Sequence, residues 1–147
     1  IGDGRGVAAA LAVGCIGVWV GTRFLASAEG GALDIQKEAI LKATDEDTRR
    51  TYIYTGKTSR ATYNRFHDLW ETSGLDPLPF PTQVLLASGM VEMFTQANMA
   101  EYVGPFAGQV SGLINEIKPA AEILMDMVEE SVDILTRKLP ESVIAEA

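Results

Sequence analysis

The sequence predicts an α/β chain: the closing unit of a repeating βα architecture, followed by a mostly α-helical extension. Three observations point there. The uncharged stretch from Gly6 to Gly21 divides at Gly14 into an Ala/Leu-rich half and a half rich in β-branched and aromatic residues. Further along, apolar residues recur three or four positions apart, the spacing of one helix face. Composition is that of a folded globular chain, with 147 residues, 47% hydrophobic and 22% charged.

The elements follow in order. Val7 to Val13 is built of good helix formers. Gly14 stands where a helix C-cap needs a residue that accepts a left-handed conformation. Gly17-Val18-Trp19-Val20 is apolar almost throughout, which predicts a strand buried on both faces, as in a parallel sheet. Asp34 is the expected N-cap of a helix over Ile35 to Ala43. Thr51 to Thr55 reads as a short strand, and Ser59 as the cap of a helix carrying Tyr63, Phe66, Leu69 and Trp70 on one face. Gly74 with Pro77, Pro79 and Pro81 marks a connector. A helix over Thr82 to Gln96 comes next, then a glycine-containing loop from Gly104 to Gly112. Pro119 is the expected first residue of the last helix, where its missing N–H does no harm. Ile123, Leu124, Met127, Val128, Ile134 and Leu135 form the apolar stripe of that helix, and Arg137 and Lys138 end it, matching the helix dipole.

Charge is unevenly distributed. Residues 1–72 carry nine Lys/Arg and nine Asp/Glu, whereas residues 73–147 carry three and eleven. A boundary near Ser73-Gly74 is therefore expected, with the βα unit in 1–72 and an acidic helical extension in 73–147. The net charge of -8 argues against nucleic acid as a partner, which would need a basic face. A single cysteine, Cys15, precludes an internal disulfide, and a single histidine, His67, argues against a zinc site. The apolar run before Arg23 is shorter than the ~20 residues of a spanning helix and contains glycines, so no membrane segment is expected. The expected location is the cytoplasm. The sequence begins at Ile1 rather than Met, so it is expected to belong to a longer or processed polypeptide.

Two glycine turns are candidates for chemistry. GDGRG at Gly2 to Gly6 is neither a dinucleotide fingerprint nor a Walker sequence, and its plain reading is a turn that starts a helix with Asp3 near the dipole. Gly21-Thr22-Arg23-Phe24 follows directly on the buried-type strand. In (β/α)8 barrels the loops after the last two strands often bind phosphate through backbone N–H groups and a short helix N-terminus. The order of turn, helix, strand and turn fits that arrangement. A glycine at position 21 lets backbone approach a phosphate oxygen, and Thr22 adds a hydroxyl donor.

IGDGRGVAAALAVGCIGVWVGTRFLAS closely resembles the end of the barrel in the FMN-dependent nitronate monooxygenase (2-nitropropane dioxygenase) family. KEAILKATDEDT, GKTSRATYNRF, PLPFPTQ and AGQVSGLI extend the resemblance over nearly the whole chain. It implies the C-terminal portion of a TIM (β/α)8 barrel: the last βα unit and a helical extension. It also implies an oxidoreductase that oxidises alkyl nitronates with molecular oxygen. FMN is the implied cofactor, with its phosphate held at Gly21 and Thr22, the counterparts of the family's strand-eight loop, and with Gly2 beside the strand-seven glycine position. The rest of the barrel is an implied partner, and a homodimer is among the expected assemblies. The family's proton-abstracting histidine has no counterpart here, so no catalytic residue is expected; His67 reads as a surface or packing residue. FMN-dependent enoyl-thioester reductases and NAD(P)H:quinone reductases share the DGRG and GTRF elements and form the alternative within enzymes. A non-catalytic helical interaction module is the alternative outside them.

The remaining polar and sulfur residues default to structure. Cys15 is expected to be a core thiol, and Met90, Met93, Met125 and Met127 core filler. Glu129, Glu130 and Asp133 read as a solvated helix face. Gln109 lies in a loop that either packs or approaches the flavin.

Overall fold

A computed structural model describes residues 1–143; the last four positions of the 73–147 extension lie outside the described residues. The chain forms two compact units, one of Ile1–Gly31 with Glu116–Ala147 and one of Ala32–Asn115. The charge boundary at 72/73 falls inside a helix of the second unit.

In the first unit, α1 (Gly4–Ala12) begins where Asp3 Oδ1 accepts the Gly6 N–H at 3.1 Å. It ends as the sequence predicts. Gly14 takes φ +94°, and the N–H groups of Gly14 and Cys15 donate to the carbonyls of Leu11 and Ala10, each at 3.0 Å. Gly4 and Ala8 form its buried face and let α6 (Ala120–Asp133) approach closely. The strand expected at Gly17 to Val20 does not form: these residues belong to no ladder, and Trp19 is 93% exposed. A strand requires hydrogen-bonding neighbours, and among the described residues the only sheet is a two-stranded one in the other unit. Cys15 is consequently exposed and not the core thiol expected.

α2 (Thr22–Leu25) is a single turn followed by Ser27, whose hydroxyl donates to the Phe24 carbonyl at 2.7 Å. α6 starts one residue after the predicted Pro119, and its Ala120 N–H donates to Glu29 Oε2 at 2.7 Å. Ile123, Met127 and Ser131 are its buried residues, whereas Leu124 and Val128 of the expected stripe stay largely exposed. Ile134–Lys138 continues with the wider π winding, and α7 (Leu139–Ser142) ends the described chain. Arg137 and Lys138 both pair with Asp133, and their hydrogen bonds, Arg137's first, hold its carboxyl below the ordinary range.

In the second unit, α3 (Asp34–Lys42) is capped one residue earlier than expected: Leu33 is the N-cap, and its N–H donates to Gln36 Oε1 at 3.1 Å. The hairpin β1 (Thr48–Thr51) and β2 (Ser59–Thr62) pairs Thr48 with Thr62 and Thr51 with Ser59. The strand expected at Thr51 to Thr55 thus ends at Thr51, and Tyr52 to Gly56 form a turn with Gly56 at φ +73°. Ser59 is a strand residue and not a helix cap. α4 (Arg65–Ser73) is capped by Asn64, whose Oδ1 accepts the Phe66 N–H at 3.0 Å. The helix closes on Gly74 at φ +68°. α5 occupies Thr82–Gln96 as predicted.

The core of this unit is aromatic. Phe66 is fully buried, with Tyr54, Trp70 and Phe94 rings at 5.5, 6.0 and 5.8 Å. Tilted and edge-on rings of this kind add to the burial energy. Leu69, expected on the same face, points outward and is 47% exposed. Met90 packs against this core, and Met127 is buried in the other unit. Met93 and Met125 are more than half exposed and fill no core.

Candidate functional site

Both predicted glycine turns belong to the first unit, and the helices they start, α1 and α2, both pack on α6. At the first turn, Gly2 is half-buried beside the start of α1. Asp3 holds that start together: its Oδ1 accepts from Gly6 N–H, and its Oδ2 accepts from Arg5 Nε and Nη2 at 2.8 and 2.5 Å. Partial burial works to raise the Asp3 pKa, but the Gly6 amide, the Arg5 side chain and the Arg5 amide together outweigh it and leave the carboxyl below its ordinary value. The Gly4 N–H donates to Glu130 Oε2 at 2.7 Å. Of the acidic trio on α6, Glu130 therefore caps another helix and departs from the solvated face expected of it, whereas Asp133 stays on that face with two cations paired to it.

At the second turn, Gly21 is exposed with φ -107°, a conformation open to any residue, and a Cβ there would meet nothing within 4 Å. Nothing in this chain's own packing demands a glycine, and the space beside the backbone is free for a ligand to approach. Thr22 opens α2, whose later amides already bond inward: Leu25 N–H to the Gly21 carbonyl at 2.9 Å and Ala26 N–H to the Thr22 carbonyl at 3.1 Å. A helix start is the kind of setting that suits an anion. Arg23 is turned away from solvent and donates from Nη1 to the Glu116 carbonyl at 2.9 Å; burial lowers its pKa. It is a structural clamp and not a phosphate ligand. An apolar groove of about 390 Å³ lies beside this turn, lined among others by Val7, Val18, Trp19, Phe24 and Val128.

The second unit holds an open groove of about 400 Å³ bordered among others by Asp47, Thr62, Tyr63, Asn64, Arg65 and Asp68. The Tyr63 hydroxyl donates to Asp68, which pushes the Tyr63 pKa up, and the Arg49 guanidinium lies 3.9 Å from the Tyr63 ring centroid. His67 is 3% exposed, between the rings of Tyr54 and Tyr63, with Nδ1 3.2 Å from Asn64 Oδ1. Burial pushes its pKa down, so it is a neutral packing residue. Gln109 is an exposed residue that starts a short 3-10 turn. No group of three or more potential metal ligands occurs among the described residues, and no helix there is long and apolar enough to cross a membrane.

Glu130 is the site residue that the sequence reading missed. It falls in register with Ile123, Met127 and Ile134 along one face of α6. A carboxylate at an otherwise apolar position of a stripe is a signal that a specific donor awaits it.

The two glycine turns start helices that pack on one longer helix, and the described chain is mostly helical with one small sheet. The chain belongs to the nitronate monooxygenase family, whose model matches residues 1–130. A Bacillus subtilis protein named "Probable nitronate monooxygenase" is 31% identical over 132 residues, covering 90% of this chain and 38% of that protein. The solved nitroalkane oxidase from Streptomyces ansochromogenes superposes with a TM-score of 0.81 at 31% identity, over 92% of this chain and 38% of that one. FabK from Thermotoga maritima superposes with a TM-score of 0.72 at 33% identity, over 97% and 45%. These solved structures are (β/α)8-barrel enzymes, and the chain spans roughly two-fifths of their length.

Proposed function

We propose that this chain is the C-terminal portion of an FMN-dependent oxidoreductase that oxidises alkyl nitronates with molecular oxygen. Family membership over residues 1–130 carries the reading. Gly21 and Thr22, with Gly2 adjoining, are the residues proposed to hold the FMN phosphate. The open backbone at Gly21 and the helix start at Thr22 support that assignment. Bound FMN supplies the redox chemistry, taking electrons from substrate and returning them to oxygen. This chain's residues contribute binding: amide and hydroxyl donors for the phosphate, fixed by α1 and α2 against α6. His67, buried and paired with Asn64, moves no proton in the reaction. The barrel-derived part lies within residues 1–72, and residues 73–147 form the acidic extension. The remaining barrel strands are the proposed partners of Gly17 to Val20, a homodimer is the proposed assembly, and the cytoplasm the proposed location.

The likeness to FabK supports a second reading, an FMN-dependent enoyl-thioester or quinone reductase that takes hydride from NAD(P)H. One experiment separates them. Oxygen uptake on addition of an alkyl nitronate, with FMN and without NAD(P)H, is expected from the first reading when this chain is joined to the rest of its barrel, and little turnover is expected from the chain alone. Flavin bleaching by NAD(P)H with no response to nitronate would replace it by the second.

A further inference from the structure

We infer that Glu130 is a positioning residue for the flavin phosphate: it fixes the Gly2–Gly6 turn on α6 and leaves the phosphate to Gly2 and the Gly21-Thr22 turn. The inference rests on the FMN reading above and deepens it. The first turn of any helix presents amides with no partner inside the helix, and those amides are the usual anion donors. In α1 they are taken. The Gly6 amide goes to Asp3 Oδ1 at 3.1 Å, the Arg5 amide also serves Asp3, and the Gly4 amide goes to Glu130 Oε2 at 2.7 Å. Two carboxylates thus occupy the N-terminal end of α1, and a phosphate cannot share those donors without displacing a like charge.

The contact to Glu130 is built and not incidental. A Cβ on Gly4 would stand 2.5 Å from Glu130 Cβ, 2.7 Å from the Met127 carbonyl oxygen and 2.8 Å from the Ser131 nitrogen. Two of those three atoms are backbone of α6, so only glycine lets the start of α1 come close enough for its amide to reach the carboxylate. Ser131, the next residue, is 5% exposed and tucks its hydroxyl back onto the Val128 carbonyl at 2.8 Å, which keeps the contact face flat. Gly2 lies two residues before Gly4, so the bond that anchors Gly4 also anchors the backbone beside the proposed phosphate.

The test compares FMN with riboflavin, which lacks the phosphate, on the full chain and its E130A and E130Q variants. Flavin fluorescence gives the two affinities, and NMR hydrogen exchange follows the Gly4 amide in the flavin-free protein. The wild type is expected to prefer FMN. E130A is expected to lower the FMN-to-riboflavin affinity ratio roughly tenfold, the usual scale for one lost hydrogen bond, and to speed Gly4 exchange. E130Q keeps an acceptor oxygen and is expected to restore both. An unchanged ratio in E130A, or E130Q as defective as E130A, would overturn the proposal. A wild type that does not distinguish FMN from riboflavin removes the phosphate site and the proposal together; Gly4 exchange then shows on its own whether Glu130 holds the turn.

Discussion

Replacing Asn64 by alanine probes how the second unit is held together. Its side chain has four roles within one short stretch. Oδ1 caps α4 through the Phe66 N–H at 3.0 Å and pairs with His67 Nδ1 at 3.2 Å; Nδ2 donates to the Tyr54 hydroxyl at 3.0 Å and to the Thr62 carbonyl at 3.3 Å. Loss of a helix cap costs about 1 kcal/mol. Leaving the buried His67 Nδ1 and Tyr54 hydroxyl short of a partner adds about 1–3 kcal/mol between them, the lower end applying if water reaches one. The sum is about 2–4 kcal/mol, a large share of a small domain's stability. In urea this moves the midpoint down by roughly 1–2 M. Trp70, inside α4, reports the transition, while Trp19 is solvated in both states. Asn64→Asp retains the acceptors but loses the donor to Tyr54 and should fall between the two. A midpoint for Asn64→Ala indistinguishable from wild type would refute the claim that this residue joins cap, histidine and tyrosine into one network.

Three further outcomes are expected. Burial holds the folded-state pKa of His67 below its ordinary 6.5, so the unfolded chain takes up a proton first as pH falls. Stability is full above about pH 6.5 and declines below it, by at most about 1.4 kcal/mol per pH unit until the folded form also titrates; urea midpoints across that range should lose part of their slope in His67→Phe. Gly4→Ala should destabilise the first unit by about 2 kcal/mol despite alanine's helix propensity gain of about 1, because the new Cβ meets backbone of α6; thermal melts by circular dichroism would show it, and a neutral or raised melting temperature would count against the close α1–α6 approach. Cys15 should react with a disulfide reagent in the native chain as fast as a free thiol, and acrylamide should quench Trp19 fully, since both are exposed.

What could be read from the sequence depended on whether the signal was local. α5, Gly14 and Gly74 were legible because helix propensity and the left-handed preference of glycine act within a few residues. Ser59 and Asn64 are both acceptable caps, and the choice between them is made by β1, which pairs with Ser59 from eight residues away. The apolar character of Gly17 to Val20 was read correctly as a residue property, but a strand needs neighbours, and pairing is not a property of four residues. The exposure of Cys15, next to that segment, follows from the same cause. Gly21 and Thr22 were legible as a turn that opens a short helix. Glu130 was not, because its partner, the Gly4 amide, lies 126 positions away in sequence.

The first unit is assembled from the two ends of the chain, and the second is spliced into its middle. Where the chain leaves and re-enters, Ala28 N–H donates to the Lys118 carbonyl at 2.9 Å, so exit and return lie side by side. This orders events on the ribosome. Residues 32–115 emerge as a complete compact unit while α1 and α2 still wait. The glycine turns acquire their support only when α6 is synthesised. A ligand that needs both turns therefore finds them supported only late, after the inserted unit has emerged, and a stop codon between residues 116 and 119 would spare the insert yet leave the turns without the helix on which they rest.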